Sequence, residues 1–206
     1  TQTTPEIMSI AQGSKILVVN TSGRTATSTS RKMTSMIAEG FKTKYGATVT
    51  ERDVGNSKIA LPTVNDAMID SFFAQSERTE SQKAAVALSD ELVAEVVAAD
   101  VLIVGVPMYN FGPAASLKVY ADLIARAGLT FTYGSAGPEG LLKNKKVFFV
   151  VTAGGVPLGS PMDHLSPWLK TFFNFIGISD QTTVEAIGQG DAGLKAGVEA
   201  VEKLLA

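Results

Sequence analysis

The chain contains no cysteine and a single histidine among its 206 residues. The first absence excludes disulfides, cysteine-ligated metals and a cysteine nucleophile, and any histidine-dependent triad would hang on His164 alone. Redox chemistry in such a chain requires a borrowed cofactor. Charge of one sign is also lacking: 20 acidic residues against 18 basic ones give a net charge of -2, with no run of Lys and Arg. Nucleic acid, which calls for a concentrated basic face, is not an expected partner. Gly, Pro or a charged residue interrupts every apolar run before it reaches the roughly 20 residues of a membrane span, so no membrane insertion is expected. Segment 1–14 has neither the basic start nor the long apolar core of a secretory signal, which together with the missing cysteine suits a cytoplasmic protein. It reads as an N-terminal extension to one domain over 15–206.

What is present is the composition of a folded domain, with 45% hydrophobic and 18% charged residues. The length suits one α/β domain with a substantial core. Short β-branched runs are continuous rather than alternating, as parallel strands covered on both faces require. Candidate strands are 15–21, 47–53, 100–107, 145–152 and a weaker 179–188. Between them, apolar residues recur at helical spacing. Met33, Ile37 and Phe41 mark a helix over about 29–45, and Thr79 with Gln82 forms a capping box ahead of Leu88, Leu92 and Val96. Pro113 suits the first turn of a helix through Leu117, Tyr120 and Ile124. Leu165, Leu169, Phe172 and Phe173 mark another, started by Ser160, Pro161 and Asp163, and Leu194, Val198, Val201 and Leu205 the last. The alternation defines a doubly wound α/β fold, a five-stranded parallel sheet with helices on both faces. Two long connections, 54–78 and 127–144, stand out as candidates for function.

Ligands of open parallel sheets bind beyond the carboxyl ends of the strands. Segments 21–30, 107–113 and 152–161 leave strands there. The first, TSGRTATSTS, carries Ser22, Ser28, Thr29 and Ser30 and runs straight into a helix, whose unpaired N–H groups and dipole favour a phosphate. Helix capping by Ser28 or Ser30 is the plainer alternative, and Arg24 is either a counter-charge or a solvated loop residue. The loop has neither G-x-G-x-x-G nor G-x-x-x-x-G-K-[ST], so a mononucleotide is expected rather than a dinucleotide or a P-loop substrate. In the second segment Met108, Tyr109, Asn110 and Phe111 combine apolar cover with polar edges, suited to a flat heteroaromatic ring. In the third, Thr152, Ala153, Gly154 and Gly155 form either a backbone platform for a ligand or a simple strand-to-helix turn. Asp53, Asp100 and His164 read as structural.

Taken together, these segments over 15–206 resemble the FMN-dependent NAD(P)H azoreductases, quinone reductases with a flavodoxin-like fold. LSDELVAEVVAADVLIVGVPMYNFG, LIARAGLTFTY, GPEGL and FFNFIGI are the strongest stretches. The resemblance implies strand order 2-1-3-4-5, bound FMN, and NADH or NADPH as electron donor. It assigns Ser22, Ser28, Thr29 and Ser30 to the ribityl phosphate, Met108, Tyr109, Asn110 and Phe111 to the ring, and Thr152, Ala153, Gly154 and Gly155 to the ring's pyrimidine edge. No metal and no catalytic side chain are implied, because the flavin N5 carries a ping-pong hydride transfer to quinone or azo acceptors. A homodimer with the flavin site at its interface is implied as well, with Phe131, Tyr133, Phe172, Phe173 and Phe175 as candidate partner-facing aromatics. The chain departs from the resemblance at Ala153, where many relatives carry arginine, and at Val156-Pro157-Leu158, which provides no histidine. An electron-carrying flavodoxin is the alternative, against which stands the small net charge; a flavin-free regulatory domain is a third reading.

Overall fold

The computed structural model describes residues 10–56, 61–74 and 77–206. Its central sheet runs β2 (Thr48–Asp53), β1 (Lys15–Asn20), β3 (Val101–Tyr109), β7 (Lys146–Ala153) and β8 (Asp180–Ile187), each pair parallel. Counting the parallel strands alone, this is the expected order 2-1-3-4-5. A short β4 (Gly112–Pro113) folds back antiparallel on the end of β3.

Alternation along each strand divides the core into two layers. Ile16, Val18, Ile103, Phe148 and Val150 face α1 (Thr29–Tyr45) and α6 (Gly190–Leu205), meeting Met33, Ile37, Phe41 and Val201. Leu17, Val19, Leu102, Val104, Phe149 and Val151 face the other way, onto α3 (Glu80–Ala98), α4 (Ala115–Ile124) and α5 (Leu165–Phe175), where Leu92, Leu117, Leu169 and Phe173 receive them. Each fully buried side chain of this kind stabilises the fold by about 1.5–3 kcal/mol. Strand β8 has a mixed burial pattern because it is an edge: Val184 and Ala186 are covered, and their neighbours on the other face are not.

Local chemistry sets the helix ends. Ser28 caps α1 by accepting from the N–H of Arg31, and Gly46 closes it in the left-handed region at φ 59°. The capping box of Thr79 and Gln82 opens α3. Asp163 caps α5 by accepting from the N–H groups of Leu165 and Ser166, at 3.1 and 2.9 Å. Pro113 lies outside its helix: it pairs with Met108 across the β3–β4 turn, and α4 begins two residues later.

The long connections contain structure. Helix α2 (Asp66–Phe72) belongs to the first, and its Phe72 ring lies 4.3 Å from the guanidinium of the buried Arg126, which also reaches Asp90 at 2.7 Å. Residues 57–60 and 75–76 of that connection lie outside the described residues. The second holds the hairpin β5 (Phe131–Gly134) and β6 (Gly137–Gly140). Gly140 seats it on the end of α5: a Cβ there would fall 2.1 Å from the nitrogen of Gly177. Of the N-terminal extension, residues 1–9 lie outside the described residues. Ile10 is buried in the α1–α6 layer, and Gly13 donates to the Tyr45 carbonyl at 2.8 Å. Among the described residues, no helix is long and apolar enough to cross a membrane.

Candidate cofactor site

Where β1 ends, side chains lock the loop rather than leave it free. Thr21 donates to the Gly105 carbonyl at 2.7 Å, Ser116 donates to the Thr21 carbonyl at 2.8 Å, and Thr34 donates to Asn20 at 2.9 Å. The Oγ of Ser22 accepts from the Arg24 N–H at 3.2 Å and lies 3.5 Å from the Tyr109 hydroxyl. Ser28 fulfils its capping role and stands 3.2 Å from the Ser30 hydroxyl, both of them buried. Beyond this cap, the N–H groups of Thr29 and Ser30 take no acceptor among the described residues. These are the donors that the start of a helix leaves over, and an anion is the ligand they suit.

The second loop is a tight hairpin. Tyr109 pairs with Gly112, and the two residues between them, Asn110 and Phe111, both have positive φ, at 48° and 70°. This is the backbone of a type I′ turn, which asparagine tolerates well and phenylalanine does not. The Phe111 carbonyl accepts from the His164 N–H at 3.1 Å, which ties the turn to the start of α5. The strain persists because the turn is held from both sides, and it leaves Phe111 47% exposed. His164 contributes its backbone here, in keeping with a structural role.

Thr152 and Ala153 end β7 between Pro107 and the last residues of β8. Ala153 accepts from the Gly188 N–H at 2.9 Å, and Gly154 and Gly155 continue outward, with open space beside Gly155. The three loops surround one cavity of about 270 Å³. Ser22, Ser28, Thr29 and Ser30 line one end, Met108 and Tyr109 one wall, and Thr152, Ala153 and Gly154 the other. Asn110, Phe111 and Gly155 adjoin these residues in sequence and do not line the cavity. Arg24, Thr27, Pro107 and Gly188 also line it; only Arg24 had a signal in the sequence, as a cation in a hydroxyl-rich loop. Among the described residues Arg24 has no carboxylate partner.

A cavity of about 500 Å³ lies at the opposite, amino-terminal edge of the sheet. Its cations are already engaged: Lys146 pairs with Asp180 at 2.8 Å, and Lys145 donates to the Val97 and Ala99 carbonyls at the end of α3. The smaller cavity is the one onto which the helix start at Thr29 and Ser30 opens. No cluster that could hold a metal ion occurs among the described residues.

Behind the hydroxyl-rich end, Arg31 makes a fork-to-fork pair with Asp53, both contacts at 2.7 Å. Burial pushes the Asp53 carboxyl up, but Arg31 and the N–H groups of Asn56 and Gly55 outweigh it and hold the group below its usual value. A depressed folded pKa gives stability that is present above the unfolded value near 4 and is lost as pH falls through the lower, folded value. Urea unfolding at a series of pH values is expected to show the wild type losing stability below about pH 4 more steeply than Asp53→Asn. Equal slopes would remove Asp53 from the acid response.

Residues 14–206 match a family described by its flavodoxin-like fold. The chain is 43% identical over 196 residues to the FMN-dependent NADH:quinone oxidoreductase of Burkholderia pseudomallei (strain 1710b), covering 93% of this chain and 94% of that protein. A protein of the same description from Aromatoleum aromaticum is 39% identical over 193 residues, with the same coverage of both chains. Among solved structures, the azoreductase from Bacillus anthracis str. Sterne superposes with a TM-score of 0.82 at 29% identity, over 93% of this chain and 98% of that one. The chain belongs to the flavodoxin-like family that holds these FMN-dependent NADH:quinone oxidoreductases.

Proposed function

We propose that this protein is an FMN-dependent NAD(P)H oxidoreductase that reduces quinones and azo compounds. The observation that carries the reading is the pair of unused N–H groups at Thr29 and Ser30, opening onto the same cavity as Tyr109 and Gly154. The donor set fits FMN: hydroxyls and helix-terminal N–H groups for a phosphate, then an aromatic and a glycine-rich wall for a flat ring. When bound, FMN supplies the ring that accepts hydride from NADH or NADPH and passes two electrons to the acceptor.

In this reading Ser22, Ser28, Thr29 and Ser30 bind the phosphate, with Arg24 offsetting its charge. Met108, Tyr109, Asn110 and Phe111 cover the ring, while the backbone of Thr152, Ala153, Gly154 and Gly155 meets its polar edge. No side chain needs to exchange a proton as a catalyst, so His164 remains structural. Donor and acceptor use the same open mouth in turn, a ping-pong order.

The mouth also supports a homodimer. Tyr109, which lines the cavity, is exposed, as are Phe111 and Met162, and Tyr133 on the β5–β6 hairpin is 68% exposed, an apolar set that a second subunit would cover. Phe131 and Phe173 do not belong to this surface, because both are buried in the protomer. A cytoplasmic location, where nicotinamide donors are replenished, completes the proposal.

Ala153 and the Val156-Pro157-Leu158 stretch supply no cation to the acceptor side. The expected preference is therefore for neutral quinones over sulfonated azo dyes. Stopped-flow reduction of the FMN-loaded protein by NADH and by NADPH, followed by reoxidation with each acceptor class, measures both halves of the cycle. Absence of nicotinamide-driven reduction would exclude the enzyme and leave an electron carrier.

A further inference from the structure

Arg31 is the residue least expected at a phosphate site built on a helix start. A guanidinium in the first turn of α1 opposes the helix dipole, and it stands next to an anion site without lining the cavity. Its donors are spent elsewhere. Nε donates to the Arg24 carbonyl at 2.7 Å, one terminal nitrogen donates to the Ser22 carbonyl and to Asp53 Oδ1, both at 2.7 Å, and the other donates to Asp53 Oδ2 at 2.7 Å. Asp53 in turn accepts from the N–H groups of Gly55 at 3.1 Å and Asn56 at 3.0 Å.

We propose that Arg31, seated by Asp53, is a positioning residue that sets FMN affinity by holding the carbonyls of Ser22 and Arg24 away from the phosphate. In a trans peptide, the carbonyl and the following N–H point in opposite directions. Anchoring those two carbonyls on the guanidinium therefore turns the N–H groups of Gly23 and Thr25 away from it and keeps both carbonyl oxygens from facing an anion at the helix start. The role depends on Arg31's forked geometry, which lysine lacks. It rests on the reading of this cavity as the FMN phosphate site.

The test compares the dissociation constants of FMN and of riboflavin, which lacks the phosphate, by flavin fluorescence quenching on the full chain. Wild type, Arg31→Gln, Arg31→Lys and Asp53→Asn are measured, each checked for a cooperative thermal transition. Loss of positioning raises the FMN constant of Arg31→Gln and Asp53→Asn by about tenfold or more, the scale of one charge-assisted hydrogen bond. Riboflavin binding changes by less than about twofold, whereas general destabilisation weakens both ligands. Arg31→Lys falls between wild type and Arg31→Gln, and with Asp53→Asn it keeps the test available should Arg31→Gln not fold.

Asp53→Asn separates positioning from simple charge. Removing a carboxylate near a phosphate would tighten FMN if only coulombic repulsion mattered; positioning requires FMN to bind more weakly. An unchanged FMN-to-riboflavin ratio in a folded variant, or tighter FMN binding by Asp53→Asn, overturns the proposal. Wild-type protein that binds riboflavin but gains nothing from the phosphate overturns the site assignment and the proposal together, a result distinct from a failure confined to the variants.

Discussion

Gly55→Ala is expected to raise the FMN dissociation constant about a hundredfold, as several charge-assisted phosphate contacts of about 1.5–3 kcal/mol each lose their alignment. Gly55 follows β2 and packs directly beneath the loop that leaves β1. A Cβ there would stand 2.4 Å from the Ser22 oxygen and 2.4 Å from the Thr21 carbonyl carbon. Both are backbone atoms, so no rotamer change relieves the clash. The loop itself has to shift, against the hydrogen bonds that Thr21, Ser116 and Arg31 make to hold it. The accompanying loss of stability is of the usual overpacking size, about 1–3 kcal/mol. FMN titration and thermal unfolding on the same preparation measure the two effects. An FMN constant within about twofold of wild type would mean that the loop relaxes without moving its donors.

Phe111→Gly is expected to move stability and function in opposite directions. Phenylalanine at φ 70° occupies a region that costs an L-residue about 1–2 kcal/mol, and glycine in its place restores the favoured Asn-Gly pair of a type I′ turn. A gain near 1 kcal/mol corresponds to roughly 2–4 °C in the melting temperature of a domain this size. The same substitution deletes an exposed ring beside the cavity. Burial of such a ring against a ligand is worth about 1.5–3 kcal/mol, so the acceptor KM is expected to rise about tenfold or more. A melting curve and a quinone titration are sufficient. A variant that is both less stable and fully active would show that the ring serves the fold alone.

Those two positions differ in how much of their role the sequence displays. Phe111 sits in a segment whose composition and place at a strand end already suggest a ring site, but the turn type is hidden: Asn-Phe is not a hairpin signature, and Gly112-Pro113 suggests a helix start instead. Gly55 carries no local signal at all, because its function is to be absent from the space under Ser22, and that space exists only after β1 and β2 pair. Arg31 and Asp53 likewise meet across the sheet edge. One hint was available: a cation in the first turn of a helix is unfavourable by itself and implies a partner.

The fold is more legible than the site's scaffolding. Helix α1 spans Thr29–Tyr45, where Ser28, the Met33-Ile37-Phe41 spacing and Gly46 place it, since local chemistry sets both ends. Strands β1, β3 and β7 are buried on both faces and betray themselves by continuous apolar residues. The β5–β6 hairpin escapes detection because GPEG contains two glycines and a proline, a poor strand composition, and its stability comes from the Gly140 approach to Gly177 rather than from propensity.

The hydrogen bond from Thr21 to Gly105 spans 84 residues, and the lining of the cavity extends from Ser22 to Gly188. No early fragment of the chain, emerging from synthesis or collapsing during refolding, contains the pocket. On the proposed site, FMN has nothing to grip until β3, β7 and β8 have all joined the sheet, and it cannot serve as a folding nucleus. Its stabilising effect falls on the completed protein, where it slows unfolding and leaves the rate of folding to the topology of the sheet.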